Sequence, residues 1–346
     1  MQMENIYYDG TKLLSLQDIN GQQPELFLCV GNRTAGKTVF FKRMCTNAFL
    51  NKGEQFLIEF RFNYELKGCG DMFFSDIGPL FFQGYEVSEE SVAQGLFYKI
   101  NLNGKTAGFA VSLSNADSLK KYSSYFVNVK NIFLDEFQSE TDHYASNEIK
   151  KFQSVHYTVA RGQGKQYRYT RTILCGNAVS LLNPYFIELG IHKKLKQDTK
   201  FLKGEGWVLE QTFNKNAAKA ISESGFSKAF SGQYTEYATQ NIYLNDNSVF
   251  VEKLSGNSRY MYTIKFDNMY YGVRMYSQDG IIFVNDKPDL SHPYVMTFKA
   301  SDHQQNALMV ERNDMIVKQL KKYFNLGLLR FGDLRAKNMI LDILSI

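Results

Sequence analysis

The chain has 346 residues, 44% of them hydrophobic and 22% charged, and a net charge of +5. With 28 Phe and 22 Tyr it has too much to bury for a disordered chain, and at roughly 150 residues per domain it has room for two or three packed domains. The balance of 40 basic against 35 acidic residues is mild and by itself announces no nucleic-acid partner. No apolar run approaches the roughly 18 residues of a membrane span. The first residues, MQMENIYYDG, show no signal-peptide pattern. Cys29, Cys45, Cys69 and Cys175 have no metal-ligand spacing and are too few for a disulfide framework, which points to a reducing cytoplasm.

In chain order, residues 26–30 (LFLCV), 56–60 (FLIEF), 96–102, 109–113, 132–134 and 172–175 are short apolar runs. Runs of this kind suit strands buried on both faces of a mostly parallel sheet. Asn103-Gly104 predicts a hairpin between two of them, because both residues accept positive φ. Residues 38–50 and 141–160 read as helices. The alternation predicts an α/β domain over residues 1–200.

The first strand runs directly into Gly31-Asn32-Arg33-Thr34-Ala35-Gly36-Lys37-Thr38, a complete GxxxxGK[ST] phosphate loop. Glycines let backbone N–H groups curl around a phosphate, and the following helix N-terminus adds positive dipole. Lys37 is expected on the β- and γ-phosphates of ATP, and the Thr38 hydroxyl on Mg²⁺. Arg33 is a further cation that either bridges to Glu136 or contacts phosphate.

Residues 132–134 end at Asp135-Glu136. Asp135 is placed to hold Mg²⁺, and Glu136 to polarise an attacking water. The adjacent pair favours a hydrolase, with room for one strand between the two motif strands. Asn177, at the end of the run at 172–175, is a candidate γ-phosphate sensor. Between residues 149 and 187 there is no acidic residue, yet Lys150, Lys151, Arg161, Lys165, Arg168 and Arg171 lie there. Arg161, at a predicted helix end, is the first choice for an arginine finger, with Arg168 and Arg171 as alternatives.

Composition changes near residue 200. Residues 201–240 read as a small helical linker subdomain and 241–346 as an α+β domain. Strands are expected at 259–266, 270–276, 281–284 and 294–298, with turns at Asp267-Asn268 and Asp279-Gly280. Helices are expected near 303–325 and 332–345. Lys318, Lys321, Lys322, Arg330, Arg335 and Lys337 form a basic stretch facing either solvent or a partner.

These motifs together resemble the DNA-packaging ATPases of phi29-like bacteriophages, compact relatives of the large terminase subunits. The resemblance rests on GNRTAGKT, NGKTAGFAVSLS (residues 103–114), NVKNIFLDEF (128–137), TVARG (158–162) and GNAVSLLNPYF (176–186). It implies a P-loop NTPase fold of the ASCE type followed by an RNase H-like domain without nuclease activity. Asp267, Asp279, Asp286, Asp289 and Asp302 fall in turns or loops, not on converging strands, which agrees with that absence.

The resemblance further implies a homopentameric ring on the procapsid portal that translocates double-stranded DNA, with Arg161 acting on the neighbouring subunit. Asn177 would report hydrolysis, and Lys120 or Lys121 would act between subunits. Arg61, Lys105 and Lys120 are candidates for the pore face. A structural RNA is a further possible partner, and no membrane is involved. The expected location is the host cytoplasm during infection and transiently the portal, not the mature virion. The rival readings are a terminase-type motor with an active nuclease, a nucleotide-switched assembly protein, and a helicase.

Overall fold

The computed structural model describes residues 7–141, 143–162, 164–181, 183–195, 199–230, 250–311 and 313–345. The chain divides into two compact units, residues 1–245 and 246–346.

The first unit is built on β1 (Leu26–Gly31), β2 (Gln55–Phe60), β3 (Val87–Val92), β4 (Phe97–Leu102), β5 (Lys105–Ser112), β6 (Val129–Asp135), β7 (Arg171–Asn177), β8 (Phe201–Gly204) and β9 (Trp207–Thr212). They form one sheet in the order β3-β4-β5-β2-β6-β7-β1-β9-β8. The six strands from β5 to β9 in that order run parallel. Antiparallel β4 and β3 finish one edge and β8 the other. One strand, β7, stands between β1 and β6.

Each central strand sends alternate side chains to opposite faces. Leu28, Val30, Leu134 and Leu174 enter one core, shared with Phe152 and Val155 of the Glu148–Val159 helix. Phe27, Cys29, Phe133 and Ile173 enter the other, shared with Phe41 and Cys45 of the Lys37–Lys52 helix. Burial on both faces explains why these strands read as continuous apolar runs. Parallel register also brings the C-terminal ends of β1, β2, β6 and β7 to one edge, where open α/β sheets bind ligands.

Three local expectations differ from the structure. β3 (VSEESV) carries no apolar run, because it is an exposed edge strand. The helix expected over 141–160 begins at Glu148, since Asn147 at φ 53° is left-handed and stops it from extending backward. Residues 201–212, read as the start of a helical linker, are β8 and β9 of the main sheet, and helices occupy Lys215–Glu223 and Gly225–Ala229. The rest of that linker, residues 231–240, lies outside the described residues.

The second unit is a mixed sheet of β10 (Arg259–Phe266), β11 (Met269–Tyr276), β12 (Ile281–Asn285), β13 (Val295–Thr297), β14 (Leu308–Met309) and β15 (Leu329–Phe331). Its order is β14-β13-β10-β11-β12-β15. The meander β10–β11–β12 turns at Asp267-Asn268 (φ 50° and 60°) and at Asp279-Gly280, as the turn pairs predict. β13 and β14 add in parallel on the far side of β10. The helix expected over 303–325 is shorter, Met315–Asn325, because residues 308–309 extend the sheet as β14. It packs with the Leu334–Ser345 helix on a core that includes Ile264, Val273, Leu320 and Ile340.

Candidate active site

The phosphate loop joins β1 to the Lys37–Lys52 helix. Gly31 permits close approach to β9, since a Cβ there would lie 2.4 Å from the Thr212 carbonyl oxygen. Thr34 (φ 56°) and Gly36 (φ 90°) take left-handed conformations that bend the loop into the helix. Asn32 anchors it from below: its Nδ2 donates to the Asn214 carbonyl (3.1 Å) and its Oδ1 accepts from the Asn214 N–H (2.9 Å). The N-terminal segment crosses the loop, where the Tyr8 N–H donates to the Ala35 carbonyl (2.8 Å) and the Tyr8 hydroxyl to Glu210 Oε2 (2.7 Å).

Lys37 is buried, and its Nζ donates to the Asn32 carbonyl (2.7 Å) and to Asn177 Oδ1 (3.4 Å). Thr38 Oγ1 donates to Asp135 Oδ1 (3.2 Å). Burial is the largest influence on the Asp135 carboxyl and pushes it up to about 6. Lys42 and the Thr38 bond oppose the rise, and Glu136 adds to it. A desolvated carboxylate beside a hydroxyl is a hard oxygen donor pair that fits Mg²⁺. Glu136 is exposed and sits at φ 52°, a conformation costly for a residue with a Cβ and typical of functional sites. Its N–H donates to Asp135 Oδ1 (3.1 Å). Lys37, Thr38, Asp135, Glu136 and Asn177 line one cleft of about 1030 Å³, which extends past Tyr7, Arg43 and Phe81.

Several side chains at this edge carried no sequence signal. Gln138 Oε1 accepts from the Val179 and Ser180 N–H groups (both 2.9 Å), tying the loop after Glu136 to the loop after Asn177. Arg33 pairs with Glu140, a partner that neither of its expected readings named. Arg61 is not a free pore cation. Its Nε donates to Glu148 (2.9 and 3.1 Å) and its Nη2 to the Phe137 carbonyl (2.9 Å), which locks β2 to the loop carrying Glu136. Glu148 also accepts from the Ala145 N–H (2.7 Å) and the Tyr185 hydroxyl (2.8 Å).

Beside this cluster Glu59 is buried with no hydrogen-bond partner for either carboxylate oxygen among the described residues. Burial first, and then Glu148, hold its carboxyl well above its ordinary value of 4.5. The folded state therefore disfavours the charged form, and that cost appears as the pH rises above the ordinary carboxylate range. Glu59→Gln is expected to stabilise the fold at neutral pH by about 1–3 kcal/mol, because each pH unit above the ordinary value of 4.5 costs the wild-type carboxyl about 1.4 kcal/mol and the amide cannot ionise. The gain should fade as the pH falls through about 4.5. Thermal melts of both proteins from pH 4 to 8 would check this, and an equal difference at every pH would refute it.

Of the basic window, Arg161 follows the Glu148–Val159 helix, is exposed, and is absent from the cleft lining of its own chain. The alternatives Arg168 and Arg171 are turned inward. Arg168 caps that same helix end, donating to the carbonyls of Val159 (2.6 Å), Phe126 (3.3 Å) and Val129 (3.4 Å). Arg171 reaches Asn131 Oδ1 (3.4 Å) and lies over the Phe27 ring. Arg61, Lys105 and Lys120 do not share one edge of the sheet: Arg61 follows the C-terminal end of β2, whereas Lys105 opens the parallel strand β5 at its N-terminal end. Lys120 pairs with Asp117, and Lys121 is exposed.

In the second unit Arg330 pairs with Glu252, Arg335 with Asp286 and Asp333, and Lys337 is buried, so Lys318, Lys321 and Lys322 are the exposed part of the basic stretch. Asp302 caps the β10–β11 turn through the Asp267 and Asn268 N–H groups, Asp267 pairs with Lys299, and Asp289 accepts from Ser291. Among the described residues no group of three or more His, Cys, Asp or Glu is arranged to hold a metal.

The family model for the podovirus DNA encapsidation protein (Gp16) matches residues 2–345. The chain belongs to this family. The DNA packaging protein of Bacillus phage phi29 is 27% identical over 345 residues, covering 98% of this chain and 97% of that protein. That of Bacillus phage B103 is 29% identical over 309 residues, covering 88% and 91%. A chain of the bacteriophage phi29 viral genome packaging motor assembly superposes with a TM-score of 0.74 at 25% identity, over 98% of this chain and 99% of that one. A chain of the phi-28 gp11 DNA packaging motor shares the fold, with a TM-score of 0.59 at 16% identity over 99% and 98%. The podovirus encapsidation fold thus spans both units, and the cleft at the end of β1, β6 and β7 lies in the first.

Proposed function

We propose that this encapsidation protein is an ATP hydrolase that drives double-stranded viral DNA into a procapsid. The observation that carries the reading is the meeting of Lys37, Thr38, Asp135, Glu136 and Asn177 at one cleft. Backbone N–H groups from Asn32 to Thr38 and the Lys37 ammonium hold the phosphates of ATP. Thr38 and Asp135 would hold Mg²⁺, which would supply positive charge against the phosphates. Glu136 takes a proton from the water that attacks the γ-phosphorus, and the bond to the β-phosphate oxygen breaks. Asn177, already on Lys37, registers the loss of the γ-phosphate.

Arg161 of a neighbouring subunit supplies the remaining positive charge, so the working form is a ring, proposed as a homopentamer on the portal. A structural RNA is a further candidate at that docking surface. The site of action is the host cytoplasm and, transiently, the procapsid. The second unit is proposed to lack nuclease activity, since its carboxylates are engaged in turns and ion pairs.

ATP turnover should rise when double-stranded DNA is added, and DNA affinity should fall steeply with salt, because a sequence-blind motor holds phosphates. Wild-type turnover no faster than that of Glu136→Ala would sink the motor reading. Plasmid nicking with Mn²⁺ that disappears in Asp267→Ala would overturn the absence of nuclease activity.

A further inference from the structure

A second, polar cavity of about 210 Å³ opens on the far side of Glu136. It shares Arg33, Glu136 and Asn177 with the nucleotide cleft, but not Tyr7, Lys37 or Phe81. The two spaces therefore meet beside Glu136, where the terminal phosphate of a nucleotide on Lys37 and Thr38 would point. Arg61, whose side chain is mostly buried, and Ser139 also line the cavity.

The two arginines are held differently. Arg61 is fixed by Glu148, which is itself buried and bonded to Ala145 and Tyr185. Its Nη1 has no hydrogen-bond partner among the described residues, whereas its Nε and Nη2 are used. Arg33 instead pairs with Glu140, and both side chains are about a third exposed (36% and 31%). A partly exposed ion pair of this kind is weak and exchanges readily for a better anion. Guanidinium forks match a tetrahedral oxyanion well. With about 30 Å³ per water, the space holds such an anion together with several waters.

We infer that this cavity receives the inorganic phosphate cut from ATP and lets it leave while ADP still occupies the phosphate loop. The inference rests on the hydrolysis reading above. Arg61 forms the fixed floor. Glu140 pairs with Arg33 and yields it to the arriving phosphate. The route past Tyr7 and Phe81 is taken by ADP itself, so the opening beyond Glu136 is the free way out.

The test is calorimetric titration of inorganic phosphate into the full chain loaded with ADP and Mg²⁺. Glu140→Gln removes one carboxylate that competes for Arg33 and should tighten phosphate binding by roughly tenfold, the scale of one charge-assisted hydrogen bond. Arg61→Gln should weaken it by a similar factor. ADP affinity should stay within about twofold in Arg61→Gln, since that side chain does not line the nucleotide cleft. Because Glu140 is partly exposed, its variant keeps the test alive if Arg61→Gln folds poorly. Phosphate that does not bind the wild-type complex, or binds equally to wild type and Glu140→Gln, overturns the inference. Absence of ATP turnover would fail the hydrolysis reading separately, without altering the outcome of the titration.

Discussion

Mixed rings of Arg161→Ala and Glu136→Ala subunits are expected to recover ATP turnover that neither variant shows alone. An arginine finger accounts for about 10³–10⁵ in rate, so Arg161→Ala by itself should be nearly silent. The proposed supply from a neighbour fits the geometry of Arg161. Arg161 lies past the end of the Glu148–Val159 helix, is exposed although its Nη2 reaches the Thr158 hydroxyl (3.5 Å), and does not line the cleft of its own chain. Its backbone is held in place, since Arg168 reaches the Arg161 carbonyl (3.5 Å) while capping the same helix end. In a mixed ring some interfaces join an intact Glu136 to an intact Arg161, and those sites should turn over. No recovery at any mixing ratio, in rings shown to assemble, would count against an arginine supplied in trans.

Glu136→Gln should lower turnover by about 10²–10⁴-fold while leaving nucleotide affinity close to wild type, because the amide cannot accept the water proton but fills the same space. The left-handed backbone at Glu136 (φ 52°) supports the assignment: the strain persists because Asp135 and the Phe137 N–H bond to the Cys175 carbonyl (3.2 Å) hold the residue from both sides. Lys37→Ala should behave in the opposite way and lose nucleotide binding itself, since its ammonium is buried at the floor of the loop. Equilibrium binding of a fluorescent ATP analogue, measured beside turnover, separates the two. A Glu136→Gln protein that hydrolyses ATP at the wild-type rate would remove Glu136 from the chemistry.

What could be read without the fold shares one property: the chemistry is local. GNRTAGKT fixes the phosphate loop because adjacent backbone amides do the work. Asp135-Glu136 and Asn177 are legible because each ends an apolar run, and parallel strands deliver their ends to one edge. Gln138, Glu140, Glu148 and Asn214 were not legible. Their partners lie tens to hundreds of residues away in the chain, and no spacing encodes such a pairing.

The mild charge of +5 shows the division most clearly. The sequence alone located a cation-rich, acid-free window after Asp135-Glu136, and with it the need for positive charge near a nucleotide. Only the tertiary structure sorted those cations, turning Arg168 onto backbone carbonyls and Arg171 against Phe27 and Asn131 while leaving Arg161 outside. It sorted Arg61 in the same way, converting a supposed surface charge into the brace between β2 and the Glu136 loop. The physical reason is that a residue's type sets which charge it can carry. Whether that charge is free depends on desolvation and on partners brought together by strands distant in sequence.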